Sequence, residues 1–264
     1  MNVDILVYDG FDELDGIGPY EVFDYALGYA AEEDDGTTGD DGAIGDDGTT
    51  GDDGAIGDDG TTGDDGAIGD DGTTGDDGAS GDDGGRVRYV SLDERETVTA
   101  SHGTRVGVDG TLPGPGGEDA PDLLVVPGGG WNARNQEASA WAEAQKGDVP
   151  RALAAHHAAD TRIASVCTGS MLLAEAGVTD GRRAVTHASA VEELRESGAE
   201  VVDARVVDDG DVLSAGGVTS GIDLALYVVE REFGESVADR AATVIEYERR
   251  YEVATRDGSR RGES

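Results

Sequence analysis

The chain has a single cysteine, Cys167, in the segment Arg162-Ile163-Ala164-Ser165-Val166-Cys167-Thr168-Gly169-Ser170. An apolar run ends at the thiol, and small residues then open a helical stretch over residues 170–176. This reads as strand, sharp turn and helix, the geometry of a nucleophile elbow. Free N–H groups at a helix start favour the thiolate over the thiol, so the turn would activate the sulfur. The competing reading is a small buried hydrophobe, the commonest fate of a lone cysteine.

The elements around the thiol decide what can reach it. Apolar strands are expected at residues 3–8, 87–92, 123–126, 162–166, 183–186, 201–207 and 212–215. A hairpin is expected over 97–100 and 105–108, around Ser101-His102-Gly103. Helices are expected at 15–30, with Pro19 near the first turn, and at 150–159, 189–197 and 220–233, with a last amphipathic stretch over 237–251. Short apolar strands alternating with helices predict an α/β protein with a mostly parallel sheet. Ligands in such sheets sit beyond the carboxyl ends of the strands.

Several chemical groups converge on that edge. The first strand leads through Asp9-Gly10-Phe11 to Asp15, the 123–126 strand to Gly128-Gly129-Gly130, the 183–186 strand to His187, and the 212–215 strand to Gly216-Gly217. Cys167 is then the candidate nucleophile. The N–H groups of Gly129 and Thr168 are candidates for an oxyanion hole. Asp15 is the candidate general acid/base, its pKa raised by an adjacent thiolate with which it would share a proton. His187 assists or only satisfies a hydrogen bond. Trp131, Gly216 and Gly217 are candidate pocket residues, Trp131 being equally able to cap the core. His102 is read as a hairpin-tip residue, and His156 and His157 as solvated helix surface. No cluster has metal-ligand spacing and the glycine run lacks the dinucleotide fingerprint, so neither metal nor cofactor is expected.

Five segments carry a resemblance: Leu14-Asp15-Gly16-Ile17-Gly18-Pro19-Tyr20-Glu21-Val22-Phe23, Val126-Pro127-Gly128-Gly129, Ser165-Val166-Cys167-Thr168-Gly169-Ser170, Ala184-Val185-Thr186-His187-Ala188 and Ala215-Gly216-Gly217-Val218-Thr219-Ser220-Gly221-Ile222-Asp223. In this order they resemble the ThiJ/PfpI family of the class I glutamine amidotransferase-like superfamily. Within it they resemble the isocyanide hydratase branch, itself similar to the sensor half of certain AraC-type regulators. The resemblance implies a flavodoxin-like three-layer α/β/α sandwich, a homodimer, a Cys167 nucleophile and an Asp15 acid. It also implies an isocyanide hydratase-like lyase acting on a small electrophile. Thr168 follows the cysteine as in that branch, where the peptidase-like branch has histidine. Two features depart from it. No aromatic residue follows His187, and Glu246-Tyr247-Glu248-Arg249-Arg250 lacks a proline-rich continuation. Glyoxalase or deglycase chemistry on reactive carbonyls is an alternative, and a redox-sensing or stress-protective protein another.

Composition bounds the setting. The 264 residues carry 58 acidic and 19 basic side chains, a net charge of −39. Such charge repels nucleic acid and anionic membrane and suits hydration in concentrated salt, so a halophilic cytoplasm is expected. One cysteine forms no internal disulfide, the N-terminus lacks a basic flank, and no apolar run approaches the ~20 residues of a membrane span. Residues 34–85 repeat Asp-Asp-Gly every six positions, with Thr-Thr and Ala-Ile alternating between, and hold 18 aspartates and no basic residue. With almost nothing apolar to bury, this insertion is expected to be disordered, in preference to a hexapeptide β-helix or a calcium-binding repeat. The expected layout is one α/β domain over 1–33 and 86–253, the insertion at 34–85, and a flexible tail over 254–264.

Overall fold

The computed structural model of the chain describes residues 1–34, 85–249, 253–256 and 260–261. Met1–Thr37 with Gly84–Ser264 form one compact unit, and Thr38–Asp83 another. The second unit, and with it the expected disorder, lies outside the described residues.

The first unit begins with β1 (Asn2–Leu6), α1 (Glu13–Asp34) and β2 (Arg86–Ser91). The hairpin β3 (Thr97–Thr99) and β4 (Arg105–Gly107) follows, then β5 (Gly110–Thr111), β6 (Leu123–Val126), α2 (Ala140–Lys146), α3 (Asp148–Ala158) and β7 (Arg162–Val166). The second half contains α4 (Gly169–Glu175), β8 (Arg183–Ala184), α5 (Val191–Glu196), β9 (Glu200–Val201), β10 (Val206–Asp208) and β11 (Val212–Ala215). It closes with α6 (Ser220–Phe233), α7 (Glu235–Val244), β12 (Val253–Thr255) and β13 (Arg260–Arg261).

Nine strands form one sheet in the order β13-β12-β10-β11-β7-β6-β1-β2-β5. From β5 to β11 every neighbouring pair is parallel. β10 returns antiparallel to β11, and β12 lies parallel to β10. β6 is buried along its whole length and β7 at all but its first residue, which explains their unbroken runs of apolar or small residues. Helices α1, α6 and α7 pack together, and α2 to α5 form a second group. The sheet between two helical layers is the flavodoxin-like sandwich. Among the described residues no helix is long and apolar enough to cross a membrane.

The sandwich differs in places from the sequence expectation. Helix α1 starts two residues earlier than read, which puts Pro19 in its second turn. Helix α2 was not anticipated, although Ser139 caps its start through Ala142 N–H and Gly147 (φ +79°) ends it. The expected 183–186 strand shrinks to β8, which pairs only with β9 in a separate two-stranded sheet. The reason is local. Val185 N–H donates to Ser214 Oγ and Val185 C=O accepts from Ser170 Oγ, so its backbone groups are taken by side chains. The last amphipathic stretch ends at α7, and β12 and β13 extend the sheet where a tail was expected.

In sequence the repeat connects the end of α1 to the start of β2. Loop closure costs only a logarithm of length, so shortening residues 34–85 to a six-residue Gly-Ser linker should stabilise the fold by about 2 kcal/mol. Thermal melts are expected to show a higher Tm for the shortened chain with kcat unchanged, and a large fall in kcat would give the insertion a catalytic role.

Candidate active site

The site is built on the end of β7. Cys167 has φ +57°, a left-handed conformation in a residue that carries a side chain. Neighbouring segments hold it there. Its N–H donates to Ala215 O at 2.9 Å and its carbonyl accepts from Thr186 Oγ1 at 3.0 Å. Strain of this kind persists only where the surroundings enforce it. The turn also passes so close to β6 that a Cβ on Gly169 would overlap the Val126 carbonyl oxygen. Glycine there is a steric requirement of the elbow.

Asp15 enters from the first turn of α1 and is completely buried. Its Oδ2 accepts from Gly128 N–H at 3.0 Å, while Oδ1 has no hydrogen-bond partner. The carboxyl interacts with the Cys167 thiol without reaching hydrogen-bond geometry at Oδ1. Burial, then the negative charge of Asp12, push the Asp15 pKa well above the usual carboxylate range. The sequence reading expected the thiolate to do this; contact with Cys167 in fact pulls slightly the other way.

The thiol is also shifted upward. Burial is the first cause and Asp15 the second, while the Thr168 N–H aimed at the sulfur pulls back. The expected activation by the helix start is therefore outweighed in this resting arrangement. The site holds a protonated thiol beside an acid that gives up its own proton reluctantly.

Tyr8, which the sequence reading missed, is buried alongside. Its hydroxyl donates to Pro127 O at 2.8 Å and so anchors the strand end that leads into Gly128 and Gly129. Burial, then Asp15, Glu143 and Cys167, keep its phenol protonated. Its place two residues past β1 was the available signal. A further clamp comes from the hairpin tip. Glu13 accepts from His102 N–H at 2.8 Å and pairs with His102 Nδ1 at 2.8 Å. Burial works against its ionisation, but hydrogen bonds from His102 prevail and hold Glu13 at about 2. Gly10 N–H on Thr99 O and Ser101 N–H on Phe11 O complete the attachment. His102 thus secures the loop that delivers Asp15.

The remaining predicted residues divide. Gly129 N–H is spent on Thr168 Oγ1 at 3.0 Å, so it does not face an oxyanion here. Of the proposed hole, the Thr168 N–H alone points at the sulfur. His187 turns away: its Nδ1 lies 2.8 Å from Ser189 Oγ and accepts from Ser189 N–H, and among the described residues it makes no hydrogen bond to Cys167. The cause is the short 3-10 turn of residues 188–190, which His187 caps. Gly216 is buried beside Val185 and Thr186, and Gly217 N–H donates to Ser220 Oγ, which places both next to the elbow's support. Trp131 is buried with its indole N–H on Glu193, and lines a groove that excludes Cys167. His156, expected on the surface, is buried with Nε2 3.1 Å from Pro113 O, and His157 reaches Asp211 at 2.9 Å.

With this geometry in hand, comparison with known proteins is decisive. Residues 79–231 match the DJ-1/PfpI family. The chain belongs to the DJ-1/PfpI family. It is 37% identical over 132 residues to the isonitrile hydratase of Pseudomonas putida, an alignment covering 49% of this chain and 54% of that protein. It is 32% identical over 152 residues to a deglycase of Pyrococcus horikoshii, covering 56% of this chain and 81% of that one. Among solved structures, a ThiJ/PfpI family protein from Pseudomonas syringae superposes with TM-score 0.64 at 22% identity, over 94% of this chain and 75% of the other. DJ-1beta of Drosophila melanogaster gives 0.62 at 17% identity, over 94% and 100%. The chain therefore spans about half the length of the hydratase it matches, and the family includes relatives named as enzymes. Residues 32–88 separately match the collagen triple helix repeat. Glycine stands at every third position from Gly36 to Gly84, so each six-residue unit is two triplets, and none of the six prolines falls among them.

Two outcomes test the DJ-1/PfpI site. Alkylation of Cys167 by iodoacetamide should have a pH midpoint above the ordinary thiol range, and Asp15→Asn should move it down by removing the negative neighbour. An unshifted midpoint in the variant would break the proposed coupling. Gly169→Ala should cost about 3 kcal/mol in urea unfolding, since backbone must move to admit the methyl.

Proposed function

We propose that the chain is a cysteine-dependent isocyanide hydratase that adds water to an organic isocyanide through Cys167. The observation that carries this reading is the buried Asp15 carboxyl beside the thiol, with Oδ1 unpartnered and its pKa pushed upward by burial. An isocyanide carbon must accept a nucleophile and a proton at the same atom. A thiol and a protonated carboxyl side by side supply both.

The steps follow. Sulfur bonds to the isocyanide carbon, Asp15 gives its proton to that carbon, and the thiol proton passes to Asp15. The product is a thioimidate on Cys167. Water then adds across the C=N bond, oxygen to carbon and hydrogen to nitrogen. The C–S bond breaks, the hydroxyl proton returns to sulfur through Asp15, and an N-substituted formamide leaves. No oxyanion arises in the first step, which suits a site where Gly129 N–H already serves Thr168. Thr168 and Gly129 then act as scaffold, Tyr8 holds the glycine loop, and His187 has no proton to move. The working form is proposed to be a homodimer in a salt-rich cytoplasm, needing neither metal nor cofactor.

A deglycase is the second reading, favoured by the longer match to the Pyrococcus protein. There Cys167 would attack a carbonyl and need oxyanion donors. Its test shares one experiment with the first. Purified protein in molar KCl is given an aryl isocyanide, or methylglyoxal, and formamide release or dicarbonyl loss is followed. Formamide should form with the wild type, fall to background in Cys167→Ala, and fall by roughly 10²-fold or more in Asp15→Asn. Dicarbonyl consumption without formamide would replace the hydratase by the deglycase. Neither activity from folded, reduced protein would remove both.

A further inference from the structure

The peptide between Cys167 and Thr168 sits at the centre of the elbow, and each of its polar groups has a separate partner. The Cys167 carbonyl accepts from Thr186 Oγ1 at 3.0 Å in a buried contact. The Thr168 N–H interacts with the Cys167 sulfur. A trans peptide points its C=O and N–H in opposite directions, so fixing one fixes the other. Helix α4 does not supply that fixing. Thr168 is its N-cap, so the helical ladder starts at the Thr168 carbonyl and leaves the Cys167 carbonyl outside it.

Thr186 is itself held in place. It is buried and follows Val185, whose N–H donates to Ser214 Oγ at 2.9 Å and whose C=O accepts from Ser170 Oγ at 2.7 Å. Ser214 belongs to β11 and Ser170 to α4, and Ser170 Oγ lies 2.8 Å from Ser165 Oγ on β7. Side-chain hydroxyls thus tie the segment 185–186 to the elements around the elbow. A hydroxyl on so constrained a segment can be aimed, and the Thr186 hydroxyl is aimed at the carbonyl of the residue whose φ is +57°.

We infer that Thr186 is a positioning residue for the nucleophile: by holding the Cys167 carbonyl it turns the Thr168 N–H onto the sulfur and keeps it there while the sulfur carries negative charge. Thr186 acts through the peptide and not on the sulfur. Donation to the carbonyl also polarises the peptide and makes its N–H a better donor. With Gly128 N–H on Asp15 and Gly129 N–H on Thr168 Oγ1, the elbow's own N–H is the donor that serves the sulfur. The inference rests on Cys167 being the nucleophile proposed above, whichever electrophile it attacks.

Alkylation of Cys167 by iodoacetamide at pH 8 is followed in the folded full chain, for wild type, Thr186→Val and Thr186→Ser. Valine keeps the shape and removes the hydroxyl; serine keeps the hydroxyl. Asp12 and Asp15, whose charges also act on the sulfur, are untouched. Loss of one N–H from a sulfur anion should cut the thiolate population about ten- to a hundredfold. The more basic thiolate that remains is about three- to tenfold the better nucleophile. Alkylation of Thr186→Val should therefore slow about three- to tenfold, and Thr186→Ser should stay within about twofold of wild type. The sign separates this from a merely structural role, because a loosened site exposes a buried thiol and speeds its alkylation. An unchanged or faster rate in Thr186→Val overturns the inference, as does a Thr186→Ser rate as slow as that of the valine variant. If Thr186→Val does not fold, Thr186→Ala decides by the same criteria. No isocyanide takes part, so a chain without hydratase activity still tests Thr186.

Discussion

Backbone pressed against backbone at the carboxyl edge of the sheet governs this molecule. The turn after β7 runs so near the end of β6 that Gly169 has no room for a side chain. Gly128 faces Thr168 N–H and Oγ1 in the same way, and Gly129 faces Gly10 and Asp12. Three loops thus meet with nothing between them. That closeness brings Gly128 N–H to the Asp15 carboxyl and Thr168 N–H to the sulfur. Close-packed interiors have discrete arrangements, and this one leaves the thiol and the acid a single way to face each other.

Crowding of this kind also fixes the electrostatics. Around Cys167 the backbone donors are mostly committed: Gly128 N–H to Asp15, Gly129 N–H to Thr168, and the cysteine's own N–H to Ala215. Asp12 adds negative charge, burial keeps the proton on Asp15, and Tyr8 stays protonated with its hydroxyl on Pro127 O. Little positive potential remains to stabilise a sulfur anion. The hydration proposed above accordingly moves a proton during the reaction and does not draw on a standing thiolate.

Much of this was legible in the residues because strand runs and glycines report directly on backbone. Cys167, Asp15 and Gly128-Gly129 converge as their positions after β7, β1 and β6 imply. Side-chain direction was not legible. His187 sits at the right edge, but a hydrogen bond to Ser189, two residues on, turns it away. Trp131 follows the glycine run yet reaches back to Glu193, sixty-two positions later. Helix α2 was readable from Ser139 and Gly147, and Pro150 only three residues on disguised it as loop. The triplet period of the repeat was equally readable, and the more conspicuous Asp-Asp-Gly unit hid it.

The buried Asp15 carboxyl has a cost that falls on the fold. Its folded pKa lies above the unfolded one, so ionisation favours the unfolded chain once the pH rises past the unfolded value. At neutral pH the site subtracts from stability, and Oδ1, without a partner, adds to the deficit. Asparagine at this position would keep the acceptor for Gly128 N–H and carry no ionisation cost. Position 15 thus carries a carboxyl that works against the stability of the scaffold holding it, and the same burial that costs stability is what raises its pKa.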